Sequence, residues 1–398
     1  MYKIIFLSFL LLEAARGQQE GESCVDQYAN TPGRCTKVDQ CQSAKSDFQL
    51  SGIRPTFCSY ATFGAALVCC RDGGSILEAS TSRVGDRRPV WGDANDRRRV
   101  SERKCEEYSR GVVEKVDYIP LIPEPETLSI SAAKCDYTGV ELIIGGENAN
   151  PGEFPHMAAI GWADFDGSYK FSCGGSLISP RFVLTAGHCI RVADAQNPEP
   201  VIVRLGDQNI DSKVNDGANP VDVPIRSILK HPDYHPPKRY NDIALMELAT
   251  DVDFRATVRP ACLWTKPTDF GGHNKVIATG WGVTDVRTRE TSKELKKVSL
   301  SLLENDYCDK LLLNIRYRHW QGFQPSQMCA GELRGGKDTC QGDSGSPLQV
   351  AAKENSCIFH LVGITSFGRD CAESGHPAVY TRVASYIDWI ESVVWPGE

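Results

Sequence analysis

The 398-residue chain reads as an all-β barrel protein, preceded by a small disulfide-stapled segment and closed by one helix. Three observations lead there. Short β-rich runs alternate with Gly, Pro and Asp turns across the C-terminal two-thirds. Six cysteines, from Cys24 to Cys70, crowd one short N-terminal stretch. Residues 385–395 carry apolar side chains at helical spacing.

Residues 1–17 hold Lys3, the apolar run Ile4 to Leu12, then Ala15-Arg16-Gly17. This is the pattern of a secretory signal peptide. The run is too short to span a bilayer and no other stretch is long enough. A secreted, extracellular protein without membrane anchorage is expected. Sixteen cysteines in such a chain imply disulfides rather than metal sites. Cys24, Cys35, Cys41, Cys58, Cys69 and Cys70 form the N-terminal set, and six cysteines leave 15 pairings open. A segment of that size buries little core, so its bridges carry its fold.

Residues 71–142 read as a linker. Up to about residue 134 they show Gly73-Gly74, Arg87-Arg88-Pro89, Arg97-Arg98-Arg99 and the stretch Pro120 to Pro125, with little apolar periodicity. The arginine clusters read as a solvated face, with a polyanion strip or accessory cleavage sites as alternatives. The stretch Lys104 to Tyr108 is expected to be an ordered patch docked by a disulfide at Cys105. Beyond residue 142, strands are expected at Phe182–Leu184, Val201–Leu205, Ile243–Leu248, Val276–Thr279 and Leu361–Thr365. Tyr386, Ile387, Ile390 and Val394 share one face of a terminal helix. The net charge of −7 argues against a nucleic-acid partner. No Asn-X-Ser/Thr sequon occurs, so no N-glycosylation is expected.

Three segments carry chemistry. Asp338-Thr-Cys-Gln-Gly-Asp-Ser344-Gly-Ser-Pro347 sets a serine among glycines. Thr185-Ala-Gly-His188-Cys189 offers a histidine, and Asn241-Asp242 an acid before an apolar run. A serine hydroxyl is a poor nucleophile until a base takes its proton. His188 would serve as that base, and Asp242 would hold its tautomer and stabilise the imidazolium. Glycines permit the backbone turn that aims the Gly342 and Ser344 N–H groups at one developing oxyanion. No cofactor or metal enters this chemistry.

With those motifs, residues 143–398 resemble a chymotrypsin-fold serine protease domain starting at Ile143-Ile-Gly-Gly146. Further matches are Cys173-Gly-Gly-Ser-Leu-Ile178, Gly280-Trp-Gly282, Ser366-Phe-Gly368 and Val379-Tyr-Thr-Arg382. Residues 24–70 resemble a clip domain, so the chain is similar to the arthropod clip-domain serine proteases. The resemblance implies two six-stranded antiparallel barrels with the triad between them. It implies bridges Cys24–Cys69, Cys35–Cys58, Cys41–Cys70, Cys173–Cys189, Cys308–Cys329, Cys340–Cys371 and Cys135–Cys262. Cys105–Cys357 is then expected by elimination. Asp338 would sit at the bottom of the S1 pocket and select Arg or Lys. Ser366 and Gly368 would line that pocket, and Phe367 would take its S2–S4 edge.

Three residues depart from the family pattern. Ala378 stands in the S1 wall where Gly is usual, Ser346 replaces a Gly, and Gly187 replaces an Ala. The resemblance also implies a zymogen. Cleavage between Leu142 and Ile143 would free an ammonium that pairs with Asp343 and orders the site. An apolar residue at the cut points to an upstream protease with apolar preference. A downstream protease zymogen would be the substrate, and a serpin the inhibitor. Alternatives are a non-catalytic cofactor homologue or a venom protease. Immune, developmental and clotting-type cascades all stay open.

Overall fold

The computed structural model describes residues 19–26, 31–45, 55–60, 66–71, 96–110, 113–118, 128–133, 147–192, 197–211, 213–214, 216–285, 290–333, 342–353, 355–368 and 376–398. Expectations placed on residues 1–17, Cys135, Leu142, Ile143, Asp338, Cys340 and Cys371 lie outside them. The chain divides into two compact units. One holds residues 1–96 and 115–132, the other residues 97–114 and 133–398.

In the first unit, strands β1 (Ser23–Asp26), β2 (Thr31–Lys37), β3 (Phe57–Tyr60) and β4 (Ala66–Arg71) form an antiparallel sheet in the order β1-β2-β4-β3. The register sets Cys35 opposite Cys69. Few side chains are fully covered here, chiefly Leu67, Val68 and the cysteines themselves. The bridges Cys24–Cys69, Cys35–Cys58 and Cys41–Cys70 form as expected. At about 2–4 kcal/mol each, they supply what so small a core does not. Strands β5 (Val113–Tyr118) and β6 (Leu128–Ala133) form a separate two-stranded sheet.

The second unit contains two closed barrels. Strand β7 (Glu147–Asn148) leads in. The first barrel uses β8 (Met157–Ala163), β9 (Tyr169–Leu177), β10 (Phe182–Thr185), β11 (Ile202–Leu205), β12 (Val221–Lys230) and β13 (Ala244–Leu248). These close in the order β10-β13-β12-β11-β8-β9. Next come β14 (Cys262–Leu263), β15 (Lys275–Gly280), β16 (Val283–Asp285), β17 (Glu290–Thr291), β18 (Lys296–Leu303), β19 (Gln327–Gly331), β20 (Pro347–Ala351), β21 (Phe359–Phe367) and β22 (Ala378–Arg382). The ring β21-β20-β15-β18-β19-β22 closes through β21–β22 pairing, while β7 pairs with β18. Each barrel is filled by its own inward residues: Ile160, Val183, Val203 and Leu245 in the first, and Val276, Leu300, Leu348 and Tyr380 in the second. The five expected strand runs all fall within these strands or extend one residue beyond them. The C-terminal helix spans Ile387–Val394 and buries Ile387, Ile390 and Val394, the face read from spacing.

The linker reading did not anticipate a helix at Val100–Ser109. Its sequence is polar, so apolar periodicity could not announce it. Tertiary contacts hold it instead. Glu102 accepts a hydrogen bond from Arg99 N–H at 3.3 Å and from the Thr265 hydroxyl at 2.7 Å. Glu391, on the C-terminal helix, accepts from both the Ser101 amide (3.0 Å) and hydroxyl (2.7 Å). Arg99 pairs with Asp388 and, at 3.0 Å, with Glu391. Tyr108 is buried, and its hydroxyl accepts from the Trp395 indole at 3.1 Å.

This helix corrects two expected bridges. Cys105 pairs with Cys262, with Cα atoms 4.9 Å apart, so neither Cys135–Cys262 nor Cys105–Cys357 holds. The reason is positional: Cys105 lies on the helix that contacts β14, which begins at Cys262. Cys357 is itself disulfide-bonded. Cys173–Cys189 and Cys308–Cys329 form as expected.

Candidate active site

His188 lies in a single 3₁₀ turn, Gly187–Ile190, directly after β10. The Cys173–Cys189 bridge ties that turn to β9. A Cβ added to Gly187 would come within 2.8–3.0 Å of the Tyr234 ring, and that ring is buried. The departure from Ala at this position therefore makes room for Tyr234.

Asp242 follows Asn241, whose φ is 56°. Asn tolerates this left-handed conformation better than most residues. Asn241 is held on both sides. Its Oδ1 accepts from Tyr386 OH at 2.9 Å, and its Nδ2 donates to the Asp233 carbonyl at 3.2 Å. The turn delivers the Asp242 carboxylate into the interior, where it is 1% exposed. There the His188 amide donates to Oδ1 at 2.8 Å and His188 Nδ1–H donates to Oδ2, also at 2.8 Å. The Ser366 hydroxyl donates to Oδ2 as well, and the Thr381 hydroxyl donates to the Asp242 carbonyl at 2.9 Å. Burial opposes ionisation of Asp242. The charge of His188 and the hydrogen bonds from His188 and Ser366 outweigh it and hold the pKa below the ordinary carboxylate value. An ionised Asp242 fixes the proton on Nδ1 and leaves Nε2 as the lone-pair nitrogen.

Ser344 sits in a turn between Gly342 (φ 97°) and Gly345 (φ 78°). Both glycines are required sterically. A Cβ on Gly342 would approach Gly282 Cα to 2.9 Å, and one on Gly345 would meet Gly174 O at 2.5 Å and the Thr185 hydroxyl. The nucleophile turn thus abuts the end of β10, three residues before His188. Backbone bonds lock it there. Gly174 N–H donates to Ser344 O at 2.8 Å and Gly345 N–H to Thr365 O at 2.9 Å. Among the described residues, the N–H groups of Gly342 and Ser344 have no backbone acceptor. Beside Gly342 lies a cavity of about 450 Å³, lined in part by Phe171, Cys173, Ile210 and Trp281.

Asp343 turns the other way, and its Oδ1 accepts from Gly282 N–H at 2.8 Å. A Cβ on Gly280 or Gly282 would lie within 2.6 Å of an Asp343 oxygen, so these glycines make room for the carboxylate in this position. Gly368 and Ala378, expected in the S1 wall, do face each other. A Cβ on Gly368 would sit 3.7 Å from the Ala378 Cβ. The Ser366 hydroxyl is directed to Asp242, a contact additional to the pocket-lining role expected of this residue.

Sequence reading missed Ser366 and Thr381 as partners of the acid, and Tyr234 and Tyr386 as supports of the two turns. Thr381 lay inside the motif Val379-Tyr-Thr-Arg382, which marked the position without revealing the contact. Ser366 likewise lay inside the motif Ser366-Phe-Gly368 and Tyr386 on the expected helix face, without their contacts being revealed, and Tyr234 carried no local signal.

The family profile described as Trypsin matches residues 143–390. Serine protease snk of Drosophila melanogaster is 34% identical over 385 residues, covering 96% of this chain and 80% of that protein. Serine protease Hayan of the same organism is 39% identical over 285 residues, 69% of this chain and 43% of its own length. Phenoloxidase-activating factor 1 of Holotrichia diomphalia is 30% identical over 387 residues, 91% of each chain.

Proposed function

The chain belongs to the trypsin family of serine endopeptidases as a clip-domain member, and on that premise we propose that it is a secreted zymogen in an extracellular proteolytic cascade. The observation that carries the catalytic part is the buried Asp242 carboxylate with His188 Nδ1 at 2.8 Å. His188 Nε2 takes the Ser344 proton as Oγ attacks the scissile carbonyl. The carbonyl oxygen, now negative, accepts from Gly342 and Ser344 N–H. Collapse expels the amine, which takes the proton from His188 Nε2, and leaves an acyl-enzyme. Water, deprotonated by the same nitrogen, releases the acid and restores Ser344.

Cleavage between Leu142 and Ile143 activates the chain. The new Ile143 ammonium pairs with Asp343, next to the oxyanion turn. Asp338 then holds the cationic P1 residue, Arg or Lys, because a buried carboxylate left unpaired costs several kcal/mol. Trypsin-type cleavage does not act after Leu, so a separate upstream protease with apolar preference performs the activation. The substrate is a downstream protease zymogen, and a serpin with Arg or Lys at its reactive site is the inhibitor. The relatives' printed names, which include phenoloxidase-activating factors and a proclotting enzyme, support a cascade setting.

The test replaces Leu142 with a residue that a defined protease cuts, and cleaves there. Hydrolysis of Arg and Lys peptides, but not Phe peptides, is expected, and it disappears in Ser344→Ala. Absence of hydrolysis after confirmed cleavage refutes the catalytic reading and favours a cofactor role.

A further inference from the structure

We propose that Arg239 selects substrates that carry Asp or Glu among the residues preceding the scissile Arg or Lys. This rests on the catalytic reading above and refines its substrate class. Arg239 lies three residues before Asp242. Its guanidinium carbon sits 5.8 Å from the centre of the Phe367 ring. Phe367 follows Ser366, which hydrogen-bonds Asp242, and precedes Gly368 at the end of β21. A substrate segment laid along Ser366–Gly368 sends alternate side chains to the same side. Those that cross the Phe367 ring meet the guanidinium.

The arginine is held but not neutralised. Its N–H donates to His319 O at 3.0 Å, and its Nε to Tyr317 OH at 3.4 Å. Among the described residues no carboxylate forms an ion pair with it. Of its five N–H donors, one is used among the described residues. Buried Trp320 packs edge-on against Phe367 with ring centres 5.5 Å apart and fixes the platform from below. Nearby cations add to the field. Lys238 and Arg318 are exposed and form no ion pair among the described residues, whereas Arg316 is paired with Asp309 at 2.7 Å. A half-buried, weakly hydrated cation beside an aromatic face, with donors to spare, is suited to a carboxylate.

The test uses fluorogenic peptides with Arg at P1 and Asp, Glu, Gln or Lys at the second and fourth positions before the cut. The cleaved wild type should prefer acid over neutral residues by about 2- to 5-fold in kcat/KM, the range of a half-exposed ion pair. The preference should lie in KM and shrink at high salt. Arg239→Gln should erase the ordering, and Arg239→Glu should reverse it toward Lys. Equal rates in wild type, or an ordering that survives Arg239→Gln, overturn the proposal. Hydrolysis of the neutral peptide, lost in Ser344→Ala, reports separately on the catalytic reading. Fluorescence anisotropy of the same peptides on cleaved Ser344→Ala protein reads the preference without turnover. Arg239-dependent binding of heparin with no peptide ordering would assign the surface to a polyanionic glycan and likewise overturn it.

Discussion

Ser366→Ala isolates a contact of the buried acid that the sequence did not show. Asp242 is 1% exposed and accepts from the His188 amide, the His188 ring and the Ser366 hydroxyl. Removing the hydroxyl withdraws a charge-assisted bond from a carboxylate that water does not reach. The expected loss is about 1.5–3 kcal/mol at pH 7. Ser346→Ala is the matched control. Ser346 is also buried, but its Oγ has no hydrogen-bond partner among the described residues, so its removal should be near neutral. The pH dependence has a definite sign. The folded pKa of Asp242 lies below its ordinary value, so its contribution is complete above the unfolded value of about 3.9 and is lost as pH falls through the folded one. Ser366→Ala raises the folded pKa, so its deficit should be largest at neutral pH and narrow in acid. The assay is urea unfolding of the uncut, disulfide-intact chain, followed by tryptophan fluorescence from pH 7 down to pH 3. Equal losses for the two serines, or a Ser366 deficit that does not change with pH, would refute the reasoning.

Other outcomes follow from the same contacts. Gly187→Ala should destabilise by about 1–3 kcal/mol through overpacking against Tyr234, and a smaller residue at position 234 should recover much of that loss in thermal denaturation. Glu391→Ala should cost about 1–2 kcal/mol by unfastening Ser101. Burial raises the Glu391 pKa, but the Ser101 and Arg99 contacts lower it further, to a net value below the ordinary one. That loss should therefore be present above the unfolded glutamate pKa of about 4.3 and fade as pH drops through the folded value. Mass spectrometry of non-reduced peptides should recover Cys105 joined to Cys262; a Cys105–Cys357 peptide would contradict it. Ala378→Gly should raise kcat/KM on Arg peptides of the cleaved enzyme by relieving the methyl opposite Gly368.

Local signals carried most of the fold. Runs such as Val276-Ile-Ala appear as strands because their side chains are buried, and such burial must be written locally as apolar residues between turns. The C-terminal helix was legible because its stability comes from an apolar face. The helix at Val100–Ser109 was not, because its stability comes from Glu391, Arg99 and Thr265. Those residues lie far away in sequence or look like ordinary charges. The pairing of Cys105 failed for a related reason. Spacing does not choose between Cys105 and Cys135, whereas the docked helix places Cys105 against Cys262. At the site, Ser344 could be named from the glycines around it, His188 from the adjacent cysteine and Asp242 from the apolar run that follows it. Ser366 could be named but not given its partner, since a hydroxyl points wherever packing sends it.

The fastening of Arg99 bears on the durability of the protein. The run Arg97-Arg98-Arg99 is a ready target for any protease that cuts after arginine. To be cut, Arg99 would have to surrender Asp388 and Glu391, enter a foreign pocket, and let the helix behind it unwind into an extended strand. The ion pairs therefore shield the Arg99–Val100 bond from such a cut. A trypsin digest of the native protein should spare that bond long after exposed arginines elsewhere have been cut.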